Sequence, residues 1–369
     1  MAARAGLSLP ATAFPVLALG FVILAAAIGL DIAAPASPLS WILSAAMIAI
    51  MLGAVFAAVE FADVIAHRVG EPYGTLVLTL AVTVIEVALI ESIVLTPNSS
   101  PALARDTVFA VIMIVCNGLV GLCIMVGSLR HYEQEFQVSG ASLYLNVLGA
   151  LSVLTLILPN YTTTIVGPYY STAQLLFVSR HNGRAIRYFP LYSNVARHKN
   201  YFRAEDVATP DGHAEYPSNR AVAVSVIMLL MALTGVILLS KKFAVILEIG
   251  LNRLGAPQAV AGIVIAMVVL APESITALRA AQRNMLQKSL NLALGSSLAT
   301  IGLTIPAVAV TNVVLDRQIE VGLSSRDALL LALTLFLSVL TFASGRTNIL
   351  AGLIHLLVFA TFLFLVFIP

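Results

Sequence analysis

The stretch LAVTVIEVALIES, from Leu80 to Ser92, places two glutamates inside an apolar run that begins near Tyr73 and ends at Leu95. A run of that length can cross a bilayer, which needs about 20 predominantly apolar residues. An ionised carboxylate in hydrocarbon costs roughly 2.5–3.5 kcal/mol on insertion scales. Glu86, near the middle of the run, is therefore either hidden in a protein core or binds something.

The composition of the whole chain is typical of a polytopic membrane protein. Hydrophobic residues make up 60% of the 369 residues and charged residues only 10%, and the mean hydropathy is +0.99. Soluble domains carry about 25% charged residues, so a water-soluble fold would lack a polar surface. The apolar runs predict an all-α fold of eleven spans. These lie near Phe14–Leu30, Leu39–Ala62, Tyr73–Leu95, Thr107–Leu129, Ala141–Leu158, Thr163–Tyr192, Ala221–Leu239, Gln258–Ala277, Leu290–Leu315, Ala328–Phe342 and Ile349–Phe367.

The loop charges and a polar segment predict orientation and domain boundaries. With a cytoplasmic N-terminus, 14 of the 20 lysines and arginines lie in inside loops, as the positive-inside rule requires. Residues 193–220 are polar and read as a cytoplasmic linker. We therefore predict an N-terminal transmembrane helix in residues 1–32, a first repeat in 33–192 and a second repeat in 221–369.

The sixth span contains an unusual basic stretch, RHNGRAIRYFP, from Arg180 to Pro190. As written, it predicts a shortened helix whose basic end reaches the cytoplasmic interface. A second hypothesis is a compensated frame error, because suitable codons shifted by one base read ATMAVLYGIFLY, an apolar helix. Resequencing the gene distinguishes the two, and an unbroken frame would remove the second.

Two short strings of the sequence resemble each other. AHRVGEPYG (Ala66–Gly74) and LNRLGAPQA (Leu251–Ala259) share an arginine, a branched aliphatic residue, a glycine, any residue and a proline. Each leads into an apolar run with a glutamate at similar depth, Glu86 in span three and Glu273 in span eight. Spans three and eight differ by five, an odd number, so they enter the membrane from opposite sides. Inverted repeats with an ion site near the midplane are typical of secondary transporters.

Polar residues near these glutamates form a candidate cation and proton site. Thr75, Thr79, Thr83 and Glu86 share one helical face, which predicts that they face the protein interior. Pro272 predicts a helix break that frees a backbone carbonyl beside Glu273. The predicted ligands are Glu86, Glu273, Thr83, Asn117, Ser296 and Thr300, with Thr79, Glu91, Asn291 and Pro272 as possible accessory residues. The alternatives are threonines bonded to their own backbone, an interhelical hydrogen bond for Asn117, and packing for Gly295 and its neighbours.

Two carboxylates that meet at the midplane suit one divalent cation. Two glutamates neutralise Ca²⁺, and two protons neutralise the same pair in its absence. Competition between protons and the cation, together with alternating access, is sufficient for exchange. The sequence lacks HExxH, GxSxG and GxxxxGK[ST], so it has none of these motifs for hydrolysis or nucleotide binding. The six histidines show no metal-ligand spacing, and His355 in span eleven is most simply a packed residue.

Several stretches resemble the bacterial ChaA-type calcium/proton antiporters of the cation/calcium exchanger superfamily. They are HRVGEPYGTLVLTLAVTVIEVALI, RDTVFAVIMIV, APESITAL, LNLALGSSLATIGLTIP and SGRTNIL. The resemblance implies eleven helices with two inverted five-helix repeats, and repeat glutamates at Glu86 and Glu273. The superfamily often has Gly-Asn shortly before each acid, whereas this chain has Val82-Thr83 and Val269-Leu270. That difference keeps exchange of monovalent cations open.

The expected function is therefore exchange of Ca²⁺ for H⁺ by alternating access, in a protein that is not an enzyme. The near alternative is Na⁺/H⁺ or K⁺/H⁺ exchange at the same acids, and the distant alternative is a channel or a non-transporting scaffold. We expect no cofactor, and as partners only inorganic cations, protons and the lipid bilayer, without nucleic acid. The resemblance and the loop charges imply a bacterial inner membrane with a cytoplasmic N-terminus. The sequence makes no prediction of an oligomeric state.

Overall fold

In a computed structural model of the chain, nearly all of the described secondary structure is helical. The structure describes residues 9–27, 38–70, 73–94, 100–194, 217–315 and 319–368. The first helices are α1 (Leu9–Ala27), α2 (Pro38–Val69), α3 (Tyr73–Val94), α4 (Leu103–Met113), α5 (Val120–His131), α6 (Val138–Ser152) and α7 (Thr172–Asn194). The later ones are α8 (Asn219–Leu254), α9 (Ala259–Gln282), α10 (Leu286–Ala299), α11 (Ile305–Leu315), α12 (Ser325–Ala343) and α13 (Ile349–Phe367).

Three π-helical segments continue these helices. Ile114–Leu119 joins α4 to α5, Thr300–Thr304 joins α10 to α11, and Val153–Ile157 follows α6. With these joins, each of the eleven predicted spans has a helical counterpart in the described ranges. Among those residues, nine helices are long and apolar enough to cross a membrane, and Ala11–Ala27 is a shorter apolar helix. The eleventh counterpart is α7, so the predicted all-α polytopic fold is confirmed.

The chain divides into two compact units, and each unit takes helices from both halves of the sequence. Unit 1 comprises Met1–Ser99 and Val207–Ala256, and unit 2 comprises Ser100–Asp206 and Pro257–Pro369. The predicted boundaries at residues 32, 192 and 220 stay predictions. Residues 195–216, most of the predicted linker, lie outside the described part of the chain.

Unit 1 is built on the antiparallel pair α2 and α8. At one end the Arg68 guanidinium donates a hydrogen bond to Asn219 Oδ1 at 2.8 Å. At the other end the guanidinium carbon of Arg253 lies 5.0 Å from the centroid of the Trp41 ring. Because Arg68 ends α2 and Arg253 ends α8, the two arginines of the repeated string lie at opposite ends of this pair. The helix α3 packs against both α2 and α8.

Both copies of the repeated string form the same corner. Gly70 follows α2 with a φ of 74°, and Gly255 follows α8 with a φ of 61°. Glycine adopts this left-handed conformation without a Cβ clash, and a proline two residues later cannot continue the old helix. A new helix then begins, α3 after the first corner and α9 after the second. The opposite placement of the two corners confirms the predicted inverted repeat.

One end of unit 2 is held together by a polar cluster around Arg105. Its guanidinium contacts Asp106 at 2.8 Å and Glu320 at 3.1 Å, and it donates to the Gly322 carbonyl at 2.9 Å. The Tyr169 hydroxyl donates to Glu320 at 3.1 Å, and this bond raises the pKa of Tyr169 above its usual value. The raised pKa keeps the Tyr169 hydroxyl protonated to a higher pH than usual, so it remains a donor. These residues come from three parts of the chain, near Arg105, Tyr169 and Glu320, where the alternation of spans predicts the same side of the membrane.

The other end of unit 2 carries a two-stranded antiparallel ribbon that the sequence reading missed. Strand β1 (Glu133–Glu135) pairs with β2 (Arg346–Asn348), with Gln134 opposite Thr347. The buried Gln134 side chain donates from Nε2 to the Ala281 carbonyl at 3.1 Å, at the end of α9. Strands of three polar residues show no alternating pattern, so nothing in the sequence distinguished them from loops. The segments at this end are again predicted to share one side.

Two predicted span boundaries are wrong. The seventh was placed at Ala221–Leu239, but α8 runs from Asn219 to Leu254, because the Ser218 hydroxyl caps its start and no proline or left-handed residue stops it before Gly255. The sixth was placed at Thr163–Tyr192 and was expected to shorten at its basic end. Instead α7 begins late, at Thr172, after Gly167 with a φ of 114°, and continues to Asn194.

The basic stretch is accommodated in α7 because the helix is amphipathic. Arg180 and Arg184 are exposed, whereas Asn182 and Ile186 are buried. The Asn182 side chain donates to Thr155 Oγ1 at 2.9 Å, and a Cβ on Gly302 would lie 1.8 Å from Ile186. The inward face of α7 therefore packs closely on the π-helical segments at Thr155 and Gly302.

The predicted helix break at Pro272 is also wrong, since α9 is continuous from Ala259 to Gln282. The proline lacks an N–H group, so the Val268 carbonyl one turn earlier loses its helical donor although the helix does not break. The irregular backbone lies instead in the π-helical segments of the neighbouring spans. Such segments recur at functional sites because they displace side chains and carbonyls from regular register.

Candidate functional site

Glu86 lies on α3 in unit 1 and is buried, with 2% of its surface exposed. Thr83, one turn earlier, is buried as well, and its hydroxyl donates to the Thr79 carbonyl at 2.8 Å. The Thr83 hydroxyl therefore donates to the backbone of its own helix, which was the predicted alternative to a ligand role. Its oxygen can still accept a hydrogen bond or bind a cation. Thr79 and Glu91 are partly buried on the same helix, while the Thr75 side chain lies outside the described residues.

Glu273 lies on α9 in unit 2 and contacts another predicted ligand. The Ser296 hydroxyl on α10 hydrogen bonds to its carboxylate. The Glu273 Oε2 atom is buried, and among the described residues it has no hydrogen-bond partner. A buried carboxylate oxygen without a donor is costly, so it is a natural position for a cation or a proton. Two of the predicted ligands, Glu273 and Ser296, are therefore in contact, and their role in binding a cation stays a prediction.

Two of the π-helical segments occupy corresponding places in the two halves of the sequence. Asn117 lies in Ile114–Leu119 of span four, and Thr300 begins Thr300–Thr304 of span nine. Both side chains are buried, with 0% and 2% exposed surface. Ile114–Leu119 packs against α9 and α10, the helices that carry Glu273 and Ser296. Backbone irregularity thus lies against the two helices that carry Glu273 and Ser296.

Two predicted ligands already have protein partners. The Asn117 amide nitrogen donates to Thr334 Oγ1 at 2.8 Å, and its carbonyl oxygen lies 3.1 Å from His355 Nδ1. Asn291 Oδ1 accepts a hydrogen bond from Gln287 Nε2 at 2.8 Å. A carboxamide oxygen has two lone pairs, so a ligand role for each stays a prediction.

Sequence reasoning missed Thr334 and gave His355 no specific partner. His355 is completely buried on α13 between Asn117 and Thr341 Oγ1, which lies 3.0 Å from Nε2. The sequence does show a polar residue at a similar depth in spans four, ten and eleven, namely Asn117, Thr334 and His355. These residues can be recognised as partners only when the three helices are known to be neighbours.

The site and the fold together define a class, the helical membrane transporters with inverted repeats. The sequence matches the family model described as "Sodium/calcium exchanger protein" over residues 39–179 and 224–368. The chain therefore belongs to the sodium/calcium exchanger protein family, and it is a transporter rather than an enzyme.

Two relatives are similar over most of their length. The chain is 44% identical to the protein y4hA of Sinorhizobium fredii, over 87% of each chain. It is 34% identical to the sodium-potassium/proton antiporter ChaA of Escherichia coli, over 86% of each chain. This relative confirms the resemblance to the ChaA-type antiporters that the sequence motifs indicated.

Solved structures show the same fold at low identity. The H⁺/Ca²⁺ exchanger CAX aligns with a TM-score of 0.67 at 15% identity, over 96% of this chain and 87% of the other. Native YfkE aligns with a TM-score of 0.66 at 15% identity, over 96% and 99%. These alignments show that the chain shares the fold of both structures.

Replacing Ser296 by alanine is expected to raise the apparent KM for the transported cation about tenfold. The change removes a hydrogen bond to a charged group, which contributes about 1.5–3 kcal/mol. Initial exchange rates across a cation series in reconstituted vesicles measure the effect. Ser297→Ala, the neighbouring buried hydroxyl, is the matched control and should keep the wild-type KM. Equal KM values for both variants would contradict the assigned contact.

Proposed function

We propose that this protein exchanges Ca²⁺ for H⁺ across the membrane, with Glu86 and Glu273 as the carboxylates that bind either cargo. The observation that carries the proposal is the Glu273 carboxylate in unit 2. It is held by Ser296 and keeps a buried oxygen, Oε2, without a donor among the described residues. The repeated corners support Glu86 as its counterpart, since each begins a helix that carries one of the acids.

The charges of the two acids suit the proposed exchange. Two carboxylates neutralise one Ca²⁺, and two protons neutralise the same pair, so either state avoids uncompensated charge in the membrane. Ca²⁺ requires six to eight oxygen ligands, which hydroxyls at Ser296 and Thr300 and the Val268 carbonyl would help to supply. Because each cargo displaces the other, alternating access couples their movements.

A second candidate is exchange of Na⁺ or K⁺ for H⁺ at the same acids. It is favoured by Val82-Thr83 and Val269-Leu270, which stand where the superfamily often has Gly-Asn and which remove a carboxamide oxygen from each repeat. The relative ChaA is itself named as a sodium-potassium/proton antiporter. Fewer oxygen ligands favour a less demanding monovalent ion.

Everted vesicles with an imposed pH gradient test the proposal directly. Adding Ca²⁺ should collapse the gradient in vesicles that contain the protein, and choline should not. Collapse with Na⁺ or K⁺ but not with Ca²⁺ would establish the second candidate. A flux that follows membrane potential without moving protons would indicate a channel, and no response to any cation would indicate a scaffold. Vesicles from the same host without the protein give the background.

We also propose an inner-membrane location with the N-terminus in the cytoplasm. One support is the excess of lysine and arginine in one set of loops. The other is that segments predicted on the same side of the membrane contact each other at each end of unit 2, Arg105 with Glu320 at one end and β1 with β2 at the other. A cysteine introduced at Glu133 should resist a membrane-impermeant thiol reagent in intact cells, and a cysteine at Tyr169 should react. The reverse pattern would invert the topology.

A further inference from the structure

The π-helical segment Ile114–Leu119 is tied to α12 and α13 by a buried polar network that the proposed exchange does not use. Asn117 donates to Thr334 Oγ1, and Thr334 in turn donates to the Leu330 carbonyl at 2.8 Å. His355 Nδ1 lies 3.1 Å from Asn117 Oδ1. The Asn117, Thr334 and His355 side chains are all completely buried. Polar groups in the membrane interior are costly unless bonded, so such a network indicates a specific role.

The hydrogen-bond pattern assigns the imidazole tautomer. The Thr334 hydroxyl donates to the Leu330 carbonyl, with Met113 Sδ as a second acceptor at 3.4 Å. Its oxygen therefore accepts from Asn117, which places the amide nitrogen of Asn117 on that side. The carboxamide oxygen therefore faces His355, and Nδ1 must carry the proton. In the neutral ring Nε2 is then the acceptor for the Thr341 hydroxyl at 3.0 Å. Every polar group in the chain of contacts is satisfied with a neutral histidine.

Close packing of two glycines brings His355 to Asn117. A Cβ on Gly121 would lie 3.0 Å from the Gly352 carbonyl and 3.1 Å from the His355 Cβ. A Cβ on Gly352 would lie 2.9 Å from the Gly121 carbonyl. Small residues permit such backbone contact between membrane helices. The α13 backbone thus lies against α5, immediately after the π-helical segment.

The segment also contacts the helices of the candidate site. It packs against α9 and α10, which carry Glu273 and Ser296, as well as against α12 and α13. We propose that His355 is a positioning residue of the cation site. By donating to Asn117 it holds the segment Ile114–Leu119 in place beside α9 and α10, and so sets the cation affinity. This inference rests on the proposed function, since it assumes that the site around Glu273 binds the cargo.

Three substitutions of His355 separate positioning from bulk packing. In His355→Asn the amide nitrogen takes the place of Nδ1 and keeps the donor to Asn117. In His355→Gln the amide reaches the place of Nε2, which keeps Thr341 as a partner and loses Asn117. His355→Leu loses both contacts. We expect the asparagine variant to have a KM within about threefold of the wild type. The other two should have a KM raised about tenfold or more, because Asn117 Oδ1 is left buried without a donor.

The measurement is apparent KM and maximal rate for the cation in reconstituted vesicles, normalised to folded protein. A merely structural role predicts equal losses of rate in the asparagine and glutamine variants with unchanged KM, and that result would overturn the inference. Unchanged KM in the glutamine variant would do the same, whatever the leucine variant shows. Glu273→Gln is measured in parallel. If it retains exchange, the proposed function fails; if it is inactive while His355→Gln matches wild type, only the role of His355 fails.

Discussion

Glu273→Gln is expected to abolish cation/proton exchange, with a loss of at least about a hundredfold. The substitution keeps the shape of the side chain and its contact to Ser296 but removes the charge that attracts the cation. Unit charges 4 Å apart at an effective dielectric constant of 20 attract by about 4 kcal/mol. That energy corresponds to roughly a thousandfold in affinity. The amide also cannot take up a proton, so both directions of the cycle lose a binding group.

The same vesicle assay, with the pH gradient imposed, measures this loss. Glu133→Gln is the matched control, because it makes the same chemical change in unit 2 at a carboxylate that is 59% exposed on the ribbon. Glu273→Asp retains the charge and should keep measurable exchange at reduced rate. Wild-type exchange by the glutamine variant would show that Glu273 does not carry the cargo.

Glu86→Gln is expected to be equally severe, and the reason is the proposed sharing of one cargo. If Glu86 and Glu273 bind the same cation, removing either charge removes most of the affinity. The double variant should then be no worse than either single variant. Additive losses would instead indicate two independent sites, since residues that act as a unit are non-additive.

Binding to detergent-solubilised protein gives a second readout for Glu86. Wild-type protein should gain thermal stability as Ca²⁺ is added, because a ligand that binds only the folded state stabilises it. Glu86→Gln should lose this gain, while Glu248→Gln on α8 of the same unit should keep it.

In the wild type, apparent cation affinity should rise by up to about a hundredfold for each pH unit, because two displaced protons contribute about tenfold each. An affinity that does not change with pH would contradict proton competition.

The repeated strings at Gly70 and Gly255 show how far local chemistry reaches. A glycine with a positive φ ends the helix in each string, and a proline two residues later cannot continue that helix, so both copies make the same corner. Pro272 shows the opposite case. Proline lacks an N–H group, as the sequence shows, but α9 stays continuous although it loses one hydrogen bond, and it is packed against α4, α5 and α10. The irregular backbone lies in the π-helical segments instead, and no local sequence pattern predicted them.

The candidate site divides in the same way. The contact between Glu273 and Ser296 follows from polar residues at matching depth in consecutive spans, which the sequence displays. The partners of Asn117 come from helices more than 200 positions away, with 217 residues to Thr334 and 238 to His355. Depth in the membrane can be counted along the chain, whereas the choice of neighbouring helix cannot.

By itself the amino-acid sequence determined the membrane environment, the number of helices, the inverted repeat and the two acids worth testing. These depend on hydropathy, span parity and local backbone chemistry, all of which act over a few residues or are summed along the chain. Only the tertiary structure decided that each compact unit draws helices from both halves, that three-residue strands close one end of unit 2, and that a histidine holds Asn117. Those features depend on which surfaces pack together, and packing is a property of the whole set of side chains at once.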